Sequence, residues 1–125
     1  MGEKPEVGSV GWQDLTVANA GEIRKFYEGV VGWQSSPVDM GEYSDFNMIA
    51  PGSGDAVAGV CHARGTNADL PTQWLIYFVV DDVEKSAGEC QSRGGTVVIP
   101  VRPLAGGQFC VIEDPAGAIC ALYQP

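Results

Sequence analysis

The stretch WLIYFVVDDV, residues 74–83, places a strand directly before the start of a helix. The apolar run from Trp74 to Val80 is rich in β-branched and aromatic residues, which are favoured in strands. Asp82 then stands at a position typical of a helix N-cap, and apolar residues recur after it with helical spacing. The stretch therefore predicts a strand, a tight connection and an amphipathic helix.

The same pattern occurs 63 residues earlier in the chain. Residues 10–17 alternate as a strand does, and Asn19, at the position equivalent to Asp82, forms a capping-box pattern with Glu22. Gly32 and Gly95 are related by the same offset, and each is expected to end its helix in a left-handed conformation. The first helix carries one apolar face, formed by Ala20, Ile23, Tyr27 and Val30.

Three short strand-like runs follow each predicted helix. They cover residues 33–40, 43–49 and 56–63 in the first half, and residues 96–100, 107–112 and 118–123 in the second. The last two runs of each half are joined by a tight turn, at residues 51–54 and 114–117. Each half therefore reads β-α-β-β-β, and the fold class is α+β. The alternative is an unrelated α+β domain whose turns happen to be evenly spaced.

Length and composition set the broad class. The chain has 125 residues, which fits one domain, and 45% of them are hydrophobic, which argues against intrinsic disorder. A net charge of −9 disfavours binding to nucleic acid or to an anionic membrane. The longest apolar run is far shorter than the ~18 residues of a membrane span. The first residues contain no apolar segment of a signal peptide, so we expect a cytoplasmic location.

The four cysteines show neither a C-x-x-C pair nor zinc-type spacing. We interpret them as small buried hydrophobic residues that stay reduced. Cys110 and Cys120 are expected to face each other across the last hairpin, on the side of the sheet that packs against the helices. The single histidine, His62, is interpreted as a structural or solvent-facing residue, because no nucleophile pair or triad is recognisable around it.

Several motifs together resemble the vicinal oxygen chelate superfamily, which includes glyoxalases, bleomycin-resistance proteins and extradiol dioxygenases. The carriers are residues 14–17 (DLTV), 26–27 (FY) followed by 32–33 (GW), 79–83 (VVDDV), 94–95 (GG) and 114–125 (DPAGAICALYQP). The resemblance implies a single domain over residues 1–125, with modules at about 8–64 and 71–125. It also implies a mixed β-sheet curled into a cup, with the two helices packed outside.

Metal-using members of this superfamily have one ligand in the first strand and one in the last strand of each module. The resemblance carries these positions to Trp12, Ala58, Leu75 and Ala121. None of these side chains has a donor atom suited to a metal. We therefore expect no metal and no cofactor.

Strand alternation predicts which residues line the cup, if the carried-over positions face it. The expected ligand-binding residues are mostly apolar or aromatic, with one carboxylate: Trp12, Asp14, Thr16, Leu75, Tyr77, Ile119, Ala121 and Tyr123. Such a mixture is typical of small-molecule sites. The alternative is that the aromatic side chains fill the cup as core.

The resulting functional hypothesis is a metal-independent protein that sequesters a planar or cationic small molecule, similar in type to the bleomycin-resistance proteins. No catalytic residue is assigned, and the resemblance implies a homodimer. One alternative is a lyase, isomerase or dioxygenase of the same superfamily. The other is a protein-interaction module whose cup is filled.

Overall fold

The computed structural model describes residues 5–125. Its strands are β1 Val10–Val17, β2 Gln34–Asp39, β3 Ser44–Ile49, β4 Ala56–His62, β5 Trp74–Val79, β6 Thr96–Leu104, β7 Gly107–Glu113 and β8 Ile119–Gln124. The helices are α1 Ala20–Val31 and α2 Val83–Ser92, and a single 3-10 turn covers Gly65–Asn67. Both described α-helices are too short to cross a bilayer. The predicted α+β class with two βαβββ modules is confirmed.

The chain divides into two compact units. Unit 2 is residues 13–74 and contains β2, β3, β4, α1 and most of β1. Within the described residues, unit 1 is residues 5–12 with residues 75–125 and contains the start of β1, nearly all of β5, the strands β6 to β8, and α2. The boundary between the units therefore falls inside β1.

In unit 2 the strand order is β2-β3-β4-β1. β1 runs parallel to β4, with Asp14 opposite Gly59, and β3 is antiparallel to both β2 and β4. Helix α1 covers one face of this sheet. Its buried core consists of Leu15, Val17, Ala20, Met48, Ala58 and Val60. The opposite side is called here the helix-free face of unit 2, and it includes Asp14 and Thr16.

In unit 1 the strand order is β5-β8-β7-β6. β5 runs parallel to β8, with Tyr77 opposite Ala121, and β7 is antiparallel to β8 and β6. Helix α2 packs on one face, against a core of Val83, Ala87, Cys110 and Leu122. The opposite side is the helix-free face of unit 1, and it includes Tyr77 and Ala121.

The helix starts differ from the sequence prediction in one of the two modules. Asp82 caps α2 as expected, because its Oδ1 accepts the backbone N–H of Lys85 at 3.1 Å. Asn19 makes no side-chain cap to α1, so the predicted capping box with Glu22 is wrong. Val30 was expected on the packed side of α1, but it is 64% exposed. The packing of α1 therefore ends about one turn before the helix does.

The helix ends also differ. Gly32 has φ +87° and closes α1 as predicted. After α2 the left-handed residue is Gly94, with φ +93°, and not Gly95. Gly95 is needed for a different reason, because an added Cβ would lie 2.5 Å from Sγ of Cys90 and 2.9 Å from the carbonyl oxygen of Glu113. No side chain fits there without displacing backbone.

β6 is longer than the sequence indicated. It was predicted to end at Pro100, but it continues through Pro103 to Leu104. Proline lacks the N–H that a central strand would need. β6 is the last strand in the order of unit 1, so one of its edges has no neighbouring strand within the unit. The two prolines are therefore tolerated there.

Candidate functional site

The helix-free face of unit 2 is polar near the end of β1. Thr16 is 3% exposed and lies beside Cys61 on β4, while Asp14 is half-buried and lies beside Gly59. Two of the sequence-predicted ligand-binding residues, Asp14 and Thr16, therefore share one face. Because Gly59 has no side chain, the strand next to Asp14 adds no bulk at that position.

A second carboxylate, which was not predicted from the sequence, lies on the strand next to β4. Asp45 on β3 is 5% exposed, and its Oδ1 accepts the backbone N–H of His62 at 2.8 Å. Nδ1 of His62 lies 3.2 Å from the same oxygen, and the His62 ring meets the edge of Tyr43. The signal available in the sequence was an acidic residue inside a strand that also contains Phe46 and Met48. Only the pairing of β3 with β4 shows that this residue is buried.

The thiol of Cys61 is affected by the negative charges on this face. Burial raises the pKa of the Cys61 thiol well above its usual range, and the nearby carboxylates of Asp14 and Asp45 raise it further. A hydrogen bond with Asp45 adds to the effect. At neutral pH this group is a thiol and not a thiolate, so it is not an activated nucleophile. The helix-free face of unit 2 is thus acidic, and the protonated thiol of Cys61 adds no charge to it.

The helix-free face of unit 1 is apolar. Leu75, Tyr77 and Ala121 are 2%, 3% and 0% exposed, and Ile119 and Tyr123 are half-buried on β8. Tyr77 pairs with Ala121, and Tyr123 pairs with Phe109, so these predicted residues do lie on one face. The hydroxyl of Tyr123 donates to the carbonyl oxygen of Ala105 at 3.1 Å. Trp12, also in unit 1, is half-buried.

An arginine that sequence analysis did not assign lies on this apolar face. The ring centroids of Tyr77 and Phe109 are 6.1 Å apart, and Cζ of Arg102 lies 5.4 Å from the Phe109 centroid. Arg102 and Phe109 are register partners in β6 and β7. Because the predicted strand ended at Pro100, Arg102 was not expected beside these rings.

The expected cysteine pair is only partly confirmed. Cys110 packs against α2, as predicted. Leu122 packs there too, and Cys120 lies two residues before it on β8, so strand alternation puts Cys120 on the same side. The two cysteines are not directly opposite, because Cys110 pairs with Leu122 and Cys120 pairs with Ile112. Burial, followed by the nearby thiols of Cys90 and Cys120, raises the pKa of Cys110 to about 11. All four cysteines are free.

One carried-over metal position lies on the wrong face. Ala58 belongs to the core under α1, whereas Ala121 is on the helix-free face of its own unit. In unit 2 the residue equivalent to Ala121 is Gly59, because Gly59 pairs with Asp14 as Ala121 pairs with Tyr77. The offset of 63 therefore fails in the last strand. The cause is the β3–β4 hairpin, which is longer than the β7–β8 hairpin and contains an irregularity between Met48 and Ile49.

The residues at these positions do not fit a metal. Trp12, Gly59, Leu75 and Ala121 offer no nitrogen, oxygen or sulfur ligand suited to a transition metal. Assigning this position to Gly59 instead of Ala58 does not change the conclusion, because glycine has no side-chain ligand. Within residues 5–125, no group of three or more His, Cys, Asp and Glu side chains is arranged to hold a metal ion.

Comparison with curated proteins identifies relatives along nearly the whole chain. The CFP32 protein of Mycobacterium bovis, named as a candidate glyoxylase, is 31% identical over 121 residues, covering 96% of this chain and 45% of that protein. The anthracycline biosynthesis protein DnrV of Streptomyces peucetius is 29% identical over 133 residues, covering 94% and 47%. The chain therefore spans about half the length of the curated relatives it matches.

Solved structures agree on the fold. Methylmalonyl-CoA epimerase from Mycobacterium tuberculosis has a TM-score of 0.58 at 17% identity, covering 100% of this chain and 93% of that chain. The Mn(II)-bound glyoxalase from Novosphingobium aromaticivorans has a TM-score of 0.60 at 18% identity, covering 94% and 39%. At these identities the likeness concerns the fold alone.

The sequence model of one protein family matches most of this chain. It matches residues 9–121, which include every strand from β1 to β7, both helices and the start of β8. The chain belongs to the Glyoxalase/Bleomycin resistance protein/Dioxygenase superfamily.

Proposed function

We propose that this chain is a metal-independent small-molecule-binding protein of the glyoxalase/bleomycin-resistance type that sequesters its ligand. The observation that carries the proposal is the set of residues at the ligand positions of metal-using relatives. Trp12, Gly59, Leu75 and Ala121 stand there, and none is a metal ligand. The chain belongs to the superfamily, but these four residues offer no ligands for the metal ion that metal-using relatives bind.

The ligand class follows from the residues of each unit taken separately. Unit 2 has the carboxylates of Asp14 and Asp45 on its helix-free face, and unit 1 has the half-buried ring of Trp12. A carboxylate and an aromatic ring both attract a cation, and both attractions increase when water is excluded. A planar or cationic ligand therefore suits residues of either kind: Asp14 offers a charge, and Trp12 offers a ring face.

The test begins with thermal shift of the purified protein against a metabolite library, because a ligand at 100 times its Kd adds about 2.7 kcal/mol of stability. Calorimetry of the best hit follows with Asp14→Asn and Trp12→Ala. We expect Asp14→Asn to weaken binding of a cation by about 1 to 3 kcal/mol. Asp55→Asn is the matched control, since Asp55 is exposed in the β3–β4 turn.

Melting curves without ligand establish that each variant is folded. Unchanged affinity in both Asp14→Asn and Trp12→Ala would overturn the assignment of these residues. Elemental analysis of the purified protein checks metal independence separately. About one zinc, nickel, manganese or iron per chain would contradict it.

We also propose a homodimer in the cytoplasm, with the cysteines reduced. Two-fold dimers are the commonest oligomers, and the four cysteines are free in the structure. Light scattering at micromolar concentration measures the mass. A monomer mass would contradict the dimer.

The enzyme alternative is favoured by the names of the relatives, which include a glyoxylase and an epimerase. Stoichiometric bound metal would support it. The interaction-module alternative is favoured by Ile76 and Phe78, which are 41% and 38% exposed on unit 1. Recovery of a stable protein partner, together with no hit in the metabolite screen, would support that alternative.

A further inference from the structure

We propose that unit 1 carries a second ligand site, a groove beside the start of α2 that takes a small organic cation with an apolar body. The groove consists of two neighbouring depressions of about 350 and 140 Å³. Both depressions are lined by Val7, Val80 and Asp81, so they adjoin. This groove is called the α2 groove below.

The surface of the larger depression is mainly apolar. Val7 is 59% exposed although it is a large aliphatic residue, and the half-buried Val80 lies in the same groove. An aliphatic ligand that covers these side chains would remove apolar surface from water, which is favourable. Pro5 and Pro125 line the smaller depression, whose surface is mainly polar.

Two residues that line the smaller depression, Val79 and Gln124, are held by hydrogen bonds. The backbone N–H of Gly8 donates to the carbonyl oxygen of Val79 at 2.8 Å, and the N–H of Val79 donates to the carbonyl oxygen of Ser9 at 2.9 Å. Oε1 of Gln124 accepts the N–H of Val83 at 2.9 Å. Binding would cost little ordering of these two residues, since they are already held in place.

The rim of the groove is acidic. Asp81, Asp82 and Glu89 line the larger depression, and Lys85 is the basic residue among its lining. One oxygen of Asp82 accepts the N–H of Lys85, and Glu89 pairs with Arg93 at 2.9 Å. No other residue in the described part of the chain forms a hydrogen bond or ion pair with the carboxylate of Asp81.

Asp81 is therefore the carboxylate best placed to bind an external cation. It borders both depressions, so its charge lies next to the apolar surface of the larger one. The volume is at the lower end of the ~300 to 1,000 Å³ of small-molecule sites. An acidic rim beside an apolar surface matches an alkylammonium ion, and the net charge of −9 raises the local concentration of such cations.

The α2 groove is independent of the proposed function. It shares no residue with the predicted set that includes Trp12, Asp14 and Tyr77. Variants of Asp81 and of Asp14 therefore test different proposals. Failure of one leaves the other standing.

The experiment is an NMR titration of ¹⁵N-labelled protein with n-hexylamine, 1-hexanol and hexanoate. These probes have the same alkyl body and differ in charge at neutral pH. We expect hexylamine to bind most tightly and hexanoate most weakly. The amide shifts should concentrate at Val7, Val80, Asp81 and Lys85.

Asp81→Asn should weaken hexylamine binding about two- to five-fold, the range of an exposed ion pair, and leave hexanol unchanged. Asp55→Asn changes the net charge equally and should have no effect, and Asp14→Asn should also leave the groove unchanged. The proposal is overturned if hexylamine and hexanol bind equally. It is also overturned if the shifts map elsewhere, or if Asp55→Asn weakens binding as much as Asp81→Asn.

Discussion

The two units repeat one βαβββ pattern, yet their helix-free faces differ in polarity. In unit 2 this face holds Asp14 and the buried Asp45 beside Cys61. In unit 1 the corresponding face is formed by buried apolar side chains such as Tyr77, together with Phe109. The helix-facing sides of both units are apolar cores. Packing under the helix is thus repeated, while the composition of the helix-free face is specific to each unit.

The difference indicates which side of each sheet can vary in residue composition. The side under the helix must bury apolar surface to stabilise each unit, so its composition is constrained. The other side is free to acquire polar groups, provided that each buried group finds a partner. Asp45 satisfies this condition through the N–H of His62.

The largest expected effect concerns the apolar face of unit 1. Phe109→Ala should lower the free energy of unfolding by about 3 to 5 kcal/mol, because the ring is 2% exposed and contacts Tyr77. Phe78→Ala is the matched control, since Phe78 is 38% exposed, and its loss should be smaller. Urea denaturation measures both. Equal losses would mean that the helix-free face of unit 1 is not a core.

The next prediction compares the two helix ends. Gly95→Ala should destabilise the protein by about 1 to 3 kcal/mol, because the added Cβ meets Cys90 and the backbone of Glu113. Gly95→Asn should be worse than Gly95→Ala. At Gly32 and Gly94 the constraint is only the positive φ, so asparagine should be better tolerated than alanine there. Thermal denaturation ranks the six variants, and the same order at all three glycines would contradict this distinction.

A third prediction uses the thiol on the helix side of unit 1. The usual thiol pKa is 9.0, and that of folded Cys110 is raised to about 11. Between these pH values the unfolded state has lost the proton and the folded state has kept it. The stabilising contribution is therefore complete below pH 9 and decreases as the pH rises through about 11. Urea denaturation across this range should show the decrease, and Cys110→Ala should show a shallower one. Parallel curves would contradict the assignment to Cys110.

The smallest expected effect concerns Cys61, the thiol on the helix-free face of unit 2. In Asp14→Asn the pKa of Cys61 should decrease toward its usual value, because a negative charge that disfavours the thiolate is removed. Alkylation of Cys61 by iodoacetamide near pH 9 should become faster, as measured by mass spectrometry. Cys110 should react at an unchanged rate, because the groups that raise its pKa do not include Asp14. An equal increase at both cysteines would indicate general loosening and not a local charge effect.

Much of the fold could be predicted from local pattern. The alternation in β1 and β5, the Asp82 cap and the turns near Gly54 and Gly117 depend on neighbouring residues, so sequence alone was sufficient. The family follows from the same motifs. The helix-free position of Leu75, Tyr77 and Ala121 also followed from alternation.

The predictions that failed depended on long-range pairing. Ala58 was placed with Ala121 by a constant offset, but the longer β3–β4 hairpin shifts β4 by one residue relative to β1. Gly95 was mistaken for the left-handed residue because helix α2 ends at Ser92, two positions earlier than the offset requires, and Gly94 adopts the positive φ. Arg102 was missed because β6 continues past two prolines.

By itself, the sequence determined the α+β class, the repeated module and the absence of metal-ligand residues at the family's positions. These properties depend on local spacing and on residue identity. The tertiary structure decided which residues share a face, that Asp45 is buried beside Cys61, and that Gly59 is the partner of Asp14. The physical reason is the two-residue period of a strand, since a register shift of one residue moves every side chain to the opposite face. Only hydrogen bonding to the neighbouring strand fixes that register.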